Sequence, residues 1–214
     1  MKSLVVSHIW KSFGKQQVLK DVSLSMEPGK IYGIVGYNGS GKSVLFKCIC
    51  GLLIPDQGEI VLDGSTLEKG KMLPDTGILI EGPAYLKDAC AYRNLQLLYQ
   101  IRNKPDKDHL FRILEKVGLE PESKKHVGKF SLGMKQRLGI AQVIMEDPGV
   151  LILDEPMNGL DKQGVKDMQE LFLGMKKQGK IIMMASHNKY DIELLCDECY
   201  EMDGGKLNFV EKNA

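Results

Sequence analysis

The sequence has little of what marks the more specialised protein classes. Its 214 residues contain no apolar run near the roughly 18 residues that a membrane-spanning helix needs. The first residues also lack the apolar core and cleavage site of a signal peptide. Basic and acidic residues nearly balance, 29 against 28, so no strong field exists to attract nucleic acid or an acidic membrane. We therefore expect a cytoplasmic chain that does not bind nucleic acid.

The cysteines give no sign of a disulfide framework either. The count of five is odd, which favours reduced thiols over a disulfide framework. Cys196 and Cys199 form a C-x-x-C pair, but no second pair at metal-binding spacing accompanies them. We expect buried or half-buried thiols here, with a metal or redox site as the alternative.

Hydrophobic periodicity divides the chain into three parts. The first part predicts a helix over 42–50 and strands at 3–9, 18–26, 30–35, 58–62 and 77–80. The middle part has apolar residues at three- and four-residue steps, which predicts helices at 89–102, 107–117 and 132–145. The last part predicts strand 150–153, helix 162–178, strand 181–185, a short helix near 190–196 and strands within 199–210. We expect one domain over 1–214, with an α/β core of 1–82 and 147–214 and a helical subdomain of 83–146.

A glycine-rich turn separates the predicted strand ending at Val35 from the helix that follows. It fits the pattern G-x-x-x-x-G-K-[ST], in which the glycines let backbone N–H groups point at a phosphate near a helix N-terminus. Lys42 would reach the outer phosphates, and Ser43 would offer an oxygen to Mg²⁺. The alternative is a glycine-rich turn that fits the pattern by chance. The predicted nucleotide-binding residues are Gly36, Tyr37, Asn38, Gly39, Ser40, Gly41, Lys42, Ser43 and Val44.

Two acids, Asp154 and Glu155, follow an apolar strand, at the edge where an α/β sheet places its ligands. Adjacent strand residues point to opposite sides, so only a local bend could bring both carboxylates to one site. We expect Asp154 to hold the magnesium shell and Glu155 to accept a proton from the attacking water or orient it. The alternative is an acidic strand end that merely leads into the turn at Pro156.

Several segments in the expected order resemble the ABC ATPases. Residues 130–137, FSLGMKQR, are similar to the LSGGQ-KQR signature of that family and lie shortly before the acidic strand. Residues 157–161 resemble its D-loop, His187 its switch histidine, and Phe13 the aromatic residue that stacks on adenine. Taken alone, Phe13 could be an ordinary core residue and His187 a satisfied surface histidine.

The resemblance implies a P-loop NTPase (RecA-like) α/β core with an antiparallel β subdomain and an inserted α-helical subdomain. It implies an ATPase that uses ATP and Mg²⁺, with His187 in a catalytic role and Asp161 at the nucleotide. Ser131 and Gly133 would bind, from a helix start, the terminal phosphate held by a partner's glycine loop. The partners implied are a second ATPase subunit, identical or different, and a separate transmembrane permease at the inner face of the membrane.

The chain departs from the family pattern at three positions. Leu132 and Met134 replace a glycine and the glutamine of the signature, while Glu81 stands where a glutamine normally contacts magnesium. A carboxylate is still an oxygen ligand for a hard cation, so Glu81 is predicted to be a metal ligand. Glutamate at this loop together with the SLGMKQRL segment resembles the bacitracin and lantibiotic resistance exporters. Export of an antimicrobial peptide is the hypothesis that follows.

Two other functions use the same glycine loop. A soluble ABC-type ATPase acting on nucleic acid or ribosomes usually has paired domains, a coiled-coil insertion or a basic arm, and the sequence has none of them. A small-molecule kinase would need an acceptor pocket and a lid, and the signature-like segment with the acidic strand argues against it.

Overall fold

The computed structural model of the chain describes residues 3–82, 84–187, 192 and 194–210. These residues form ten strands and five α-helices. The strands are β1 Leu4–Phe13, β2 Gln16–Met26, β3 Ile31–Val35, β4 Gln57–Leu62, β5 Ser65–Thr66, β6 Thr76–Leu79, β7 Val150–Asp154, β8 Ile181–Ala185, β9 Glu198–Asp203 and β10 Lys206–Val210. The helices are α1 Lys42–Ile49, α2 Ala91–Tyr99, α3 Lys107–Lys116, α4 Leu132–Ile144 and α5 Lys162–Lys177, with a 3₁₀ turn at Val127–Lys129.

The larger sheet places the predicted site at one edge. Its strand order is β10-β9-β3-β8-β7-β6, and the pairs within β9-β3-β8-β7-β6 are parallel. The glycine-rich turn follows β3, the two acids lie at the end of β7, and His187 follows β8, which lies between those strands. Because parallel strands end at the same edge, these three segments meet there.

The smaller sheet is antiparallel, with the order β2-β1-β4-β5. Its apolar face shares a buried cluster with α1 and one face of the larger sheet, to which Leu4, Phe46 and Ile152 belong. The fold class predicted from the sequence, an α/β core with an antiparallel β subdomain and inserted helices, is confirmed.

Helices α2, α3 and α4 lie between β6 and β7 in the chain and cover the other face of the larger sheet. Leu95, Leu114 and Leu138 share one buried cluster with Leu151 and Met184 of the sheet strands. The segment after β6 is tied to α4, since the Tyr85 hydroxyl donates to the Lys135 carbonyl over 2.5 Å. Burial of Tyr85 raises its pKa to about 12, so the phenol stays a donor at neutral pH.

Some boundaries differ from the predicted ones. Helix α2 is shorter than the predicted 89–102, because Cys90 is an extended N-cap residue and a turn follows Tyr99. Strand β5, two residues long, was not predicted because so short a strand has no periodicity to detect. Of the predicted helix near 190–196, residues 192, 194 and 195 are helical, whereas residues 190, 191 and 193 lie outside the described residues. Within the described residues, no helix is both long and apolar enough to cross a membrane.

Candidate functional site

The glycine-rich turn has the geometry of a phosphate cradle. Gly39 and Gly41 have φ angles of 85° and 112°, which residues other than glycine rarely adopt. Lys42 is 7% exposed and its ammonium donates to the carbonyls of Gly36, at 2.7 Å, and Tyr37, at 3.1 Å. An ammonium has three N–H donors, so one remains for a phosphate oxygen.

Ser40 supplies an independent test of whether a phosphate fits this turn. Its side chain is 3% exposed, and in the described part of the chain its hydroxyl has no hydrogen-bond partner. A buried polar atom without a partner is costly, which indicates a site that a polar ligand completes. The turn therefore fits the phosphate that the sequence predicts.

Ser43 and Asp154 join the glycine-rich turn to the acidic strand. The Ser43 hydroxyl, in the first turn of α1, donates to Asp154 Oδ2 over 2.6 Å, although the two residues are 111 positions apart. A hydroxyl and a carboxylate are oxygen ligands of the kind that Mg²⁺ takes together with substrate phosphates. The pair therefore fits the predicted metal position.

Glu155 makes the bend that the sequence requires at the end of β7. Its φ angle is 51°, in the left-handed region, so its side chain does not follow the alternating up-and-down pattern of the strand residues before it. The carboxylate accepts a hydrogen bond from the His187 backbone N–H at 3.0 Å and lies 2.9 Å from His187 Nδ1. Two different carboxylates thus face the same edge, one at Ser43 and the other at His187.

Glu81 lines the same cleft as the two acids and is ion-paired. Its φ angle is 57°, and its Oε1 atom lies 2.7 Å from Lys47 Nζ in the last turn of α1. Sequence reasoning assigned no role to Lys47, because the pair spans 34 positions and no local pattern links its members.

One cleft of about 500 Å³ contains most of the predicted residues, a size ordinary for a small-ligand site. The predicted residues that line it are Asn38, Gly39, Gly41, Lys42, Ser43, Val44, Glu81, Asp154 and Glu155. The backbones of Gly36 and Tyr37 adjoin it through Lys42.

Eight predicted residues are not part of the lining of this cleft. Gly36, Tyr37, Ser40 and His187 are four of them, and their positions at the site are given above. The other four are Phe13, Ser131, Gly133 and Asp161. Phe13 is 50% exposed, and Lys11 Nζ lies 5.7 Å from its ring centroid. Ser131 is the N-cap of α4 and accepts a hydrogen bond from Met134 N over 3.2 Å. Gly133 follows it in the first turn, and Asp161 is the N-cap of α5. Within the described residues, none of these four lines the cleft that contains the glycine-rich turn.

The cleft also contains residues to which the sequence assigned no function. They are Val18, Gly82, Leu132, Gln136 and Asn158. Leu132 and Gln136 are four residues apart on α4 and so share one helix face, a spacing that could have indicated Gln136 once the helix start was known. Gln136 Nε2 donates to the carbonyls of Glu155, at 3.1 Å, and Pro156, at 3.0 Å.

Four of the five cysteines are buried in the protein interior, and Cys90 is half-buried. Cys196 and Cys199 are both buried, and among the described residues no group of three or more His, Cys, Asp or Glu side chains could hold a metal. Burial raises the pKa of Cys48 to about 11, so its thiol stays protonated and unreactive at neutral pH.

Comparison with known proteins gives a consistent result. A family model described as ABC transporter matches residues 19–158. An uncharacterised ABC transporter ATP-binding protein of Bacillus subtilis is 41% identical over 97% of this chain and 95% of its own length. The bacitracin transport ATP-binding protein of Bacillus licheniformis is 40% identical over 92% of this chain, which spans 65% of that protein.

Further relatives and solved structures agree. The lantibiotic transport ATP-binding protein of Streptococcus pyogenes is 37% identical over 91% of this chain and 84% of its own length. The solved structure of an ATP-binding subunit of an ABC transporter superposes with a TM-score of 0.84 at 27% identity, covering 95% of this chain and 87% of that one. An ATP-binding cassette in its ADP conformation superposes with a TM-score of 0.83 at 25% identity, covering 97% of this chain and 89% of that one.

Proposed function

The chain belongs to the ABC transporter family as an ATP-binding, ATP-hydrolysing subunit, and we propose that it drives export through a separate membrane permease. The proposal of export is supported by two relatives whose names are bacitracin and lantibiotic transport ATP-binding proteins. An antimicrobial peptide or a drug is the cargo that these relatives favour.

The observation that carries the assignment of the ATP site is the hydrogen bond from Ser43 to Asp154, which joins the glycine-rich turn to the acidic strand. We assign the phosphates of ATP to the backbone N–H groups of the turn and to Lys42. Ser43 and Asp154 would hold Mg²⁺, with Glu81 as a further oxygen ligand. The ion would supply charge neutralisation for the phosphates.

Glu155 is proposed as the group that orients the attacking water and accepts its proton. Its carboxylate is held by His187 through the backbone N–H and lies within hydrogen-bond distance of the imidazole. In a regular strand, adjacent residues such as Asp154 and Glu155 would point to opposite faces of the sheet. The bend at Glu155 lets both carboxylates line one cleft, where they can serve different roles.

We propose that the site is completed by a second ATPase subunit, identical or different. Ser131 and Leu132 at the start of α4 are exposed, and a helix start with free N–H groups suits a phosphate. Ser131 and Gly133 would contact the terminal phosphate of the partner's ATP, and Asp161 would adjoin it. Phe13 would stack on adenine, for which its exposed ring is available.

The permease contact is proposed to involve the helical subdomain of residues 83–146 and the Glu81 segment. Tyr85 links that segment to α4, so movement at Glu81 would reach the helices. The subunit would lie against the inner face of the cell membrane, where ATP is present. ATP binding would favour the closed dimer and hydrolysis would release it, through the difference in ATP affinity between the two states.

The dimer can be tested with the Glu155→Gln variant, which should bind MgATP without turning it over. We expect light scattering to show a dimer at saturating MgATP and a monomer without nucleotide. Adding Ser131→Glu should abolish the dimer, because a carboxylate there repels the phosphate, whereas Ser65→Glu on exposed β5 should not. A protein that stays monomeric with MgATP would contradict the proposed homodimer.

The cargo requires a separate test in cells. Strains with and without the gene and its permease would be compared for sensitivity to bacitracin and to lantibiotics. Lower sensitivity in the strain that carries both would support peptide export, and unchanged sensitivity would discard it.

A further inference from the structure

Gln136 connects two parts of the site that the chain places far apart in sequence. Its Nε2 atom donates to the Glu155 carbonyl at 3.1 Å and to the Pro156 carbonyl at 3.0 Å. Helix α4, which carries Gln136, begins at the exposed Ser131 N-cap. A single side chain therefore links the helix start to the backbone of the carboxylate residue.

Glu155 depends on such contacts, because its backbone is in a conformation that residues other than glycine rarely adopt. A φ angle of 51° in a residue other than glycine persists only where the surroundings impose it. Its N–H donates to the Ala185 carbonyl at 3.0 Å, and its own carbonyl accepts from Asn158 N at 3.1 Å. The Gln136 side chain, which belongs to α4 and not to β7 or the turn after it, adds two further hydrogen bonds to this backbone.

The start of α4 is also packed tightly against the loop that follows Glu155. A Cβ atom added at Gly133 would lie 2.8 Å from the Gly159 carbonyl oxygen, and one added at Gly159 would lie 2.5 Å from Leu132 Cγ. Contacts this close leave no room for the helix start and the loop to move independently. Displacement of one should displace the other.

We propose that Gln136 is a positioning residue that holds Glu155 in its productive orientation and transmits movement of the α4 start to it. The proposal rests on the proposed function, because it assumes that Glu155 activates the attacking water. Both hydrogen bonds that Gln136 Nε2 donates go to backbone carbonyls. Its effect on the reaction runs through the backbone of residues 155 and 156.

Gln136→Met tests this directly, since methionine matches glutamine in length and helix propensity but cannot donate. We expect kcat for ATP to fall roughly tenfold to a hundredfold, as misplacement of a reacting group does. The Kd for MgATP should stay within about twofold. Gln136→Lys keeps a donor at similar reach and should recover most of the rate, while Gln136→Glu should lose at least as much as Gln136→Met.

Gln142→Met is the matched control on the same helix. In the described part of the chain, Gln142 Nε2 has no hydrogen-bond partner, so its loss should leave kcat and Kd unchanged. An unchanged kcat in Gln136→Met, or equal loss in Gln136→Met and Gln136→Lys, overturns the proposal. So does a lower melting temperature with normal kcat, which would show that the contact only stabilises the fold.

Combination with Glu155→Gln separates a positioning role from a direct one. If Gln136 acts through Glu155, Gln136→Met should lower the residual single-turnover rate of Glu155→Gln by less than about twofold. The same tenfold loss in both backgrounds would show that Gln136 acts elsewhere. If Glu155→Gln alone leaves turnover unchanged, the role proposed for Glu155 fails, whereas normal turnover in Gln136→Met alone removes only this inference.

Discussion

Lys47 Nζ lies 2.7 Å from Glu81 Oε1 and ties the last turn of α1 to the segment that follows β6. The Glu81 side chain is 65% exposed and that of Lys47 is 32% exposed. Glu81 also lines the cleft that holds Ser43 and Asp154. A magnesium ion bound there and Lys47 would therefore compete for one carboxylate.

The competition predicts that Lys47→Met lowers the Mg²⁺ concentration needed for half-maximal ATP hydrolysis. An exposed ion pair contributes only about 0–1 kcal/mol, so the expected change is about twofold to fivefold. Glu81→Gln should shift the requirement upward, and the double variant should match Glu81→Gln alone. Lys71→Met removes an exposed pair with Glu68 outside the cleft and serves as the control. Equal shifts in the two lysine variants would argue against competition at Glu81.

Glu155→Gln should lower ATP turnover by at least roughly a hundredfold while ATP still binds. A neutral amide keeps the size of the side chain but cannot accept the proton of the attacking water. Turnover is measured by phosphate release and binding by titration with MgATP. Glu68→Gln, outside the cleft, should behave as wild type. Near-normal turnover in Glu155→Gln would refute the role assigned to this carboxylate.

The sequence could predict what local pattern and strand order determine. The glycine-rich turn is identifiable because strand, turn and helix follow one another directly, and Asp154 because an apolar strand ends at it. The need for a bend at Glu155 also followed from strand alternation, and its φ of 51° confirms it.

Contacts between distant segments could not be predicted in the same way. The Lys47–Glu81 pair depends on how α1 packs against the segment after β6, which no periodicity encodes. The hydrogen bonds of Gln136 likewise depend on the rotation of α4 about its axis relative to the end of β7. The end of α2 at Tyr99 was overestimated because Ile101 continues the apolar spacing, although it is 75% exposed in a turn.

Lys42 and His187 should affect different steps. Lys42→Ala removes the cation beside the glycine-rich turn and should weaken MgATP binding at least roughly tenfold, as loss of a charge-assisted contact does. His187→Ala should slow hydrolysis while leaving Kd largely unchanged, because the imidazole contacts the Glu155 carboxylate and not the turn. Titration calorimetry and phosphate release measure the two effects. Equal loss of binding in both variants would contradict this division.

Arg137 contacts Asp167, and the lowered pKa of this carboxyl predicts how the contact's contribution to folding stability changes with pH. Its guanidinium donates to the Val117 carbonyl at 2.6 Å and to the Asp167 carboxylate at 3.0 Å, which connects α4 with α3 and α5. Hydrogen bonds from Gln163 and Arg137 lower the pKa of Asp167 below its ordinary 3.8. A lowered pKa in the folded state stabilises the protein above the unfolded-state pKa, and this contribution is lost as pH falls through the folded-state value.

Arg137→Met should therefore lower the free energy of unfolding by about 2 kcal/mol at pH 7, chiefly through the lost donor to Val117. Asp167→Asn should lower it less, and its difference from wild type should shrink as the pH falls below the ordinary 3.8 and through the lowered folded-state pKa, because the wild-type carboxyl then takes up a proton. Urea denaturation at several pH values measures both. Arg102→Met, whose partner Glu146 lies 3.8 Å away and whose side chain is 77% exposed, should change stability by less than about 0.5 kcal/mol. A difference between Asp167→Asn and wild type that grows on acidification would show that the carboxylate does not stabilise the folded state.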